Sequence, residues 1–291
     1  MRVAIASGKG GTGKTFVATN LAVHLARAGT PVTLVDCDVE APNAHLFLDE
    51  ATGATTEPVT VPRPRPPEAG CPPGCTACRD ACRFGAIRIF GTVPVVDEDL
   101  CHGCGACRNA CPAATIGETP VRVGTITTRR TDTGIRLITG RLDIGRTAAP
   151  EVIRAARARA GTAGLVILDA PPGAACSAVS TVHGADHLVL VTEPTSFGVH
   201  DLELMLELAR ALDVPTSVVV NRVGAGAADV DEHCRVAGVP VIARIPFDRE
   251  VAQACAQGHL VVDQHPQGPV WFTALWRGLR RRSADPVGVG A

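Results

Sequence analysis

The chain has 291 residues, 46% of them hydrophobic, and a net charge of −1. That length buries a large core in one big domain or two smaller ones, and the near-neutral charge supplies no positive field for nucleic acid. No stretch reaches the roughly 18 uninterrupted apolar residues of a spanning helix. The first residues lack the basic-then-apolar pattern of a signal peptide, so a cytoplasmic protein is expected. In that reducing setting twelve cysteines point to metal rather than to disulfides.

In chain order, residues 3–7 are a short apolar run, the pattern of a buried strand, and they lead into GKGGTGKT. Residues 16–28 carry apolar side chains at helical spacing (Leu21, Leu25, Ala28), with Gly29 placed to end the helix. Residues 32–35 form a second buried-type strand that runs into Asp36 and Asp38. The prolines between 58 and 67 suggest an extended, semi-rigid connector. Eight cysteines follow between residues 71 and 111.

The α/β rhythm then returns. Strands are expected at 121–126, 135–138, 165–169, 187–192 and 216–221, and helices at 150–160, 200–212 and 270–281. Such alternation predicts a mostly parallel sheet with helices on both faces. The plainest division is an α/β domain in two parts, 1–60 and 121–283, a small cysteine-rich insert at 61–120, and a flexible tail at 284–291.

Gly8, Lys9, Gly10, Gly11, Thr12, Gly13, Lys14 and Thr15 fit the phosphate-loop pattern between a predicted strand and a predicted helix. Glycines let backbone N–H groups wrap a phosphate chain, Lys14 neutralises the β- and γ-phosphates, and Thr15 offers its hydroxyl to Mg²⁺. Lys9 and Lys14 are the only lysines in the chain; every other basic residue of this kind is arginine. A compact ammonium is therefore required by the chemistry of this one loop.

KGGTGKT, with its early Lys9, resembles the deviant Walker A motif of the MinD/ParA/Mrp and nitrogenase iron protein superfamily of P-loop ATPases. VDCDVEAPN (35–43), LVILDAPPG (165–173), VTEPTSFGVHDLEL (191–204), VVVNRV (218–223) and IPFDREVA (245–252) extend the resemblance along the chain. It implies ATP and Mg²⁺ as ligands and a nucleotide-sandwiched homodimer, or a heterodimer with a paralogue, across which Lys9 reaches. It implies that Asp38 orients the attacking water, that Asp36 lies near the metal and that Asp169 holds Mg²⁺ through water. Gly173 would sense the γ-phosphate through its N–H, Asn221 would meet the adenine edge, and the 245–252 loop would cover the base.

CHGCGACRNACP places Cys101, Cys104, Cys107 and Cys111 at the x2-x2-x3 spacing of a bacterial ferredoxin, with Pro112 after the last. An earlier run, Cys71, Cys75, Cys78 and Cys82, differs only by one extra residue after Cys71 and by Arg83 in place of proline. FGAI (84–87) is echoed by AATI (113–116), so the insert is an internal duplication. In this pattern the fourth cysteine of each run serves the other cluster. One [4Fe–4S] cluster is therefore assigned to Cys71, Cys75, Cys78 and Cys111, and the other to Cys101, Cys104, Cys107 and Cys82. Pro72-Pro73-Gly74 can form a turn that absorbs the extra residue. Two four-cysteine zinc sites are the competing metal reading.

Cys37, Cys176, Cys234 and Cys255 are expected to be structural. The last helix, with Trp271, Phe272, Leu275, Trp276 and Leu279 before Arg280, Arg281 and Arg282, is expected to pack on the sheet rather than on a membrane. The expected activity is ATP hydrolysis coupled to electron transfer through two clusters to a redox or iron–sulfur partner protein. The alternatives are an Mrp-like iron–sulfur cluster carrier and a ParA/MinD-like positioning protein whose clusters are structural or sensing. No nucleic-acid or membrane partner is expected.

Overall fold

A computed structural model of the chain describes residues 1–48 and 53–284. The tail expected at 284–291 lies outside them from residue 285 onward. Two compact units are present. The first comprises Met1–Thr56, Ile126–Arg141 and the chain from Ile153 onward; the second comprises Glu57–Thr125 and Leu142–Val152.

The elements are β1 (Arg2–Ala6), α1 (Lys14–Arg27), β2 (Val32–Asp36), β3 (Thr55–Arg65), α2 (Ala77–Asp80), β4 (Ile87–Phe90) and β5 (Val93–Val96). They continue with α3 (Ala106–Ala110), β6 (Gly117–Arg130), β7 (Arg136–Leu142), α4 (Ala149–Arg159), β8 (Leu165–Asp169), α5 (Cys176–Val182) and β9 (His187–Thr192). The last are α6 (Ser196–Ala211), β10 (Thr216–Val223), α7 (Val230–Val236), β11 (Val241–Pro246), α8 (Arg249–Ala256), α9 (Val261–Gln264) and α10 (Gly268–Ala284).

The large sheet has the order β11-β10-β9-β1-β8-β2-β7-β6-β3. Strands β1, β2, β7, β8, β9, β10 and β11 pair in parallel. Parallel strands covered on both faces must be apolar throughout, and Val3, Ala4, Ile5 and Ala6 of β1 are fully buried. After β8 the chain crosses β1 to reach β9, so the strand order reverses direction at β1. The carboxyl ends of strands at such a switch point leave a crevice for a ligand.

α10 packs through Phe272, Leu275 and Leu279, all fully buried in the main core. Phe272 meets Phe16 of α1 edge to face, with ring centroids 6.0 Å apart. Its apolar stripe is therefore satisfied inside the protein. Among the described residues no helix is long and apolar enough to cross a membrane.

The proline-rich stretch corrects one expectation, because most of it is strand β3 rather than a free connector. β3 lies at the edge of the sheet, where a residue without an N–H donor leaves no ladder bond unmade. Pro58 and Pro62 sit at exposed positions that alternate with buried Val59, Val61 and Arg63. β6 also runs well beyond the predicted 121–126 at both ends. In the second unit a β4–β5 hairpin and the short helices α2 and α3 surround a small cluster of Cys78, Cys107, Ile87 and Ile116. Ile87 and Ile116 are the equivalent residues of the two repeats.

Candidate nucleotide site and cysteine centres

The site of the first unit is built where β1, β2, β8, β9 and β10 end. In register, Ile5 lies beside Asp169 and Asp36 beside Asp169, so the two acidic strand ends are neighbours. The loop of residues 8–13 leads from β1 into α1 and needs glycine at defined places. Gly13 has φ 101°, and a Cβ there would stand 2.4 Å from Nδ2 of Asn221. Gly8 packs so tightly that a Cβ would lie 2.4 Å from the backbone oxygen of Asp201. Space is open beside Gly10 and Gly11, where a phosphate chain needs the backbone bare.

Lys14 is 7% exposed, and its Nζ donates to the carbonyl of Lys9 at 3.4 Å. Burial lowers its pKa, while the charges of Asp169 and Asp38 oppose that shift. Asp169 is fully buried. Neither of its carboxylate oxygens makes a well-formed hydrogen bond, although the Thr15 hydroxyl lies near enough to favour the ionised form. Burial pushes the Asp169 carboxyl well above the usual range, and the neighbouring Asp36 and Asp38 charges add to this. A buried carboxylate without donors, beside a hydroxyl and two further acids, is the donor set a hard divalent cation takes. Thr15, Asp169 and their surroundings therefore fit Mg²⁺.

Asp36, the acid next to Asp169, also shapes the backbone of the site. Its Oδ2 accepts from the N–H of Asn43 and of Ala44, each at 2.9 Å, and its Oδ1 from the N–H of Asp38 at 3.1 Å. It folds the acidic loop back on the strand and so places half-buried Asp38 opposite Lys14. Burial dominates its titration, with the pKa raised from 3.8 to about 7 despite those three donors. In the ligand-free protein, folded Asp36 thus holds its proton over a pH range where unfolded Asp36 has lost it. Its contribution to stability falls as pH rises from about 4 to about 7 and is constant above. We expect Asp36→Asn to gain on the wild type over that window by up to about 1.4 kcal/mol per pH unit. Urea unfolding of both proteins at pH 5, 6 and 7 checks this; a constant difference between them would refute it.

Lys9 does not point into open space. Its ammonium pairs with Glu193, just past β9, and Arg222 pairs with the other oxygen of the same carboxylate at 3.1 Å. Burial raises the Glu193 pKa, but the hydrogen bond and charge of Lys9, with Arg222, hold it below its ordinary value. Glu193 and Arg222 lie within quoted motifs, yet nothing in their spacing announced a partner for Lys9. Gly173, with φ 84°, donates its N–H to the Ser7 carbonyl at 3.0 Å. In this state that N–H is engaged with the loop strand rather than free for a phosphate.

Asn221 donates from Nδ2 to the Thr12 carbonyl at 2.8 Å and accepts from the Arg222 N–H at 2.9 Å. It ties β10 to the phosphate loop. Beside it lies a cleft of about 160 Å³ lined by Gly13, Phe16, Asn221, Pro246, Phe247 and Val251, among others. The 245–252 segment and Asn221 are thus brought together against one aromatic wall.

In the second unit, the extra residue of the first run is taken up by a turn in which Cys75 N–H donates to the Pro72 carbonyl at 3.1 Å, with Gly74 at φ 79°. Cys71 is tied down by its N–H to the Thr92 carbonyl at 2.7 Å. The thiols fall into two sets. Burial raises the Cys71 pKa, and Cys75 and Cys111 act on it electrostatically. Burial likewise raises that of Cys78, which also feels Cys71 and Cys75. The other set, Cys82, Cys101, Cys104 and Cys107, lines one small cavity. Among the described residues no three His, Cys, Asp or Glu side chains converge as on a single metal ion. Four thiols around a void suit a cluster better than one ion, because a cubane presents four separate irons to its ligands. Cys82, Cys101, Cys104 and Cys107 around their cavity are a donor set of that kind.

Of the remaining cysteines, Cys37 and Cys234 are buried and Cys255 is half-buried against the cleft. Cys176, also expected to be structural, differs from these three in exposure. It is the first residue of α5 and is exposed.

Comparison with known proteins agrees with this architecture. An uncharacterized protein of Methanocaldococcus jannaschii is 32% identical over 96% of each chain. An iron-sulfur cluster carrier protein of Aquifex aeolicus is 23% identical over 92% of this chain and 63% of its own length. The septum site-determining protein MinD of Pyrococcus horikoshii, solved with Mg-ADP, shares the fold at a TM-score of 0.58, with 19% identity over 98% of this chain and 99% of that one. The profile of one nucleotide-binding family matches residues 3–261. The chain belongs to the CobQ/CobB/MinD/ParA nucleotide binding domain family.

Proposed function

We propose that the protein is an ATPase that couples nucleotide-driven dimer switching to electron transfer through two [4Fe–4S] clusters in its second unit. ATP would bind with its phosphates in the 8–15 loop against Lys14 and with its base in the cleft beside Asn221. Mg²⁺ would lie between Thr15 and Asp169, with Asp38 orienting the attacking water. Lys9 would leave Glu193 to meet the nucleotide of a second copy, or of a paralogue. Cys71, Cys75, Cys78 and Cys111 would hold one cluster, and Cys82, Cys101, Cys104 and Cys107 the other.

The observation that carries the redox reading is where the cysteines sit. Cys78 and Cys107 form half of the second unit's buried core cluster, and Cys101 is buried as well. A group whose ligands are the core of its own unit is a resident one, suited to passing electrons rather than to being handed over. Delivery of clusters to other proteins is the second reading, and likeness to the Aquifex carrier favours it.

Anaerobic reconstitution with iron and sulfide, followed by reduction with and without ATP, separates the two. The redox reading expects ATP to change the reduction potential or the rate of electron transfer to an acceptor. No effect of ATP on either, together with cluster transfer to an apo-ferredoxin, would sink it in favour of the carrier.

A further inference from the structure

Arg63 is 3% exposed, and none of its three guanidinium nitrogens has a hydrogen-bond partner. A guanidinium carries its charge into any environment, and an isolated buried charge is among the most destabilising features a fold can hold. Its counter-charge must come from something other than the described side chains.

Arg63 itself belongs to the second unit. It lies on β3, on the buried face that also carries Val59 and Val61. That face looks onto the loop between Cys101 and Cys104. A Cβ on Gly103 would stand 3.6 Å from Cβ of Val61 and 2.6 Å from the carbonyl oxygen of Pro62. On the other side of Arg63, Pro64 lines the cavity formed by Cys82, Cys101, Cys104 and Cys107. By the two-residue period of a strand, Val61 and Arg63 project on the same side. Pro62, whose carbonyl meets Gly103, and Pro64 thus hold the backbone on both sides of Arg63 at the walls of one cysteine cavity.

We infer that Arg63 is the buried counter-charge of the cluster held by Cys82, Cys101, Cys104 and Cys107. This rests on the cluster reading proposed above. Four thiolates give such a cluster net negative charge, and one-electron reduction adds another. A fixed positive charge nearby stabilises both states, the reduced one more, and so raises the potential. Arg63 is a positioning and tuning residue here, not a ligand.

The test uses the full chain as wild type, Arg63→Met and Arg63→Lys, each reconstituted anaerobically with ferrous iron and sulfide. Iron and sulfide content is measured, and EPR-monitored titration with dithionite gives the two potentials. With iron retained, Arg63→Met is expected to disfavour reduction of one cluster about tenfold, a negative shift of about 59 mV for one electron. The other cluster should not move, and Arg63→Lys should recover most of the shift. If Arg63→Met instead loses one cluster while Arg63→Lys keeps both, the need for positive charge is supported in another form.

Unchanged potentials in a fully loaded Arg63→Met would overturn the inference and leave the clusters standing. So would loss of the cluster in both variants, since shape rather than charge would then be decisive. If the wild type itself takes up zinc and no iron, the cluster reading fails and this inference with it.

Discussion

Lys14→Ala is expected to lower ATP hydrolysis by about 10²- to 10³-fold, the loss typical when one preorganised charge is removed from a phosphoryl or oxyanion site. The ammonium is 7% exposed and faces Asp169 and Asp38, so no water-borne cation substitutes for it in place. Its removal also leaves two acids facing the incoming phosphates without compensation, so nucleotide affinity should fall together with turnover. The folded state should survive, because Lys14 makes only a long hydrogen bond to the Lys9 carbonyl. Phosphate release and nucleotide binding are the measurements, with circular dichroism as the control. Hydrolysis at the wild-type rate would remove Lys14 from the site. Lys9→Ala is the informative companion. Lys9 is held by Glu193 in the single chain, so its loss should spare nucleotide binding and abolish ATP-dependent dimerisation.

Cys107→Ser is expected to have the largest structural effect in the second unit. The bound iron should drop by about half, since one of two four-iron groups loses a ligand. The buried cluster around the two cysteine runs is small and consists of Cys78, Ile87, Cys107 and Ile116, two of them proposed ligands. So small a cluster cannot offset the conformational entropy of residues 71–116 without metal. In small domains a structural metal supplies about 10 kcal/mol or more of folding free energy. Removing iron from the wild type with a chelator should therefore unfold residues 71–116 and leave the first unit folded, because the first has its own large apolar core. Hydrogen exchange resolves the two units. Full protection of residues 71–116 in the iron-free protein would show that the cysteines are not its structural centre.

Two kinds of information lay open in the sequence to different degrees. Motifs whose chemistry depends on neighbours in the chain were legible. The phosphate loop needs its glycines and Lys14 within eight residues, and the cysteine runs need fixed gaps, so Gly8 to Thr15 and Cys101 to Cys111 declare themselves. Buried parallel strands such as 165–169 and 187–192 were also plain, because covering both faces demands continuous apolar runs. The prolines of β3 misled, because composition reports a missing donor and not whether a strand lies at an edge.

What depends on distant residues meeting was not legible. Glu193 as the partner of Lys9, Asn221 as the tie to Thr12, and the exposure of Cys176 follow from the order of strands around β1 and the path of the loops between them. The sequence by itself determined which residue types stand together: a glycine-rich loop with its lysine, acids at strand ends and two runs of cysteines. Only the tertiary structure decided which charges face one another. It set Asp36 beside Asp169, engaged Lys9 within its own chain and buried Arg63 without a partner, because pairing across a sheet is a property of register and not of neighbours in the chain.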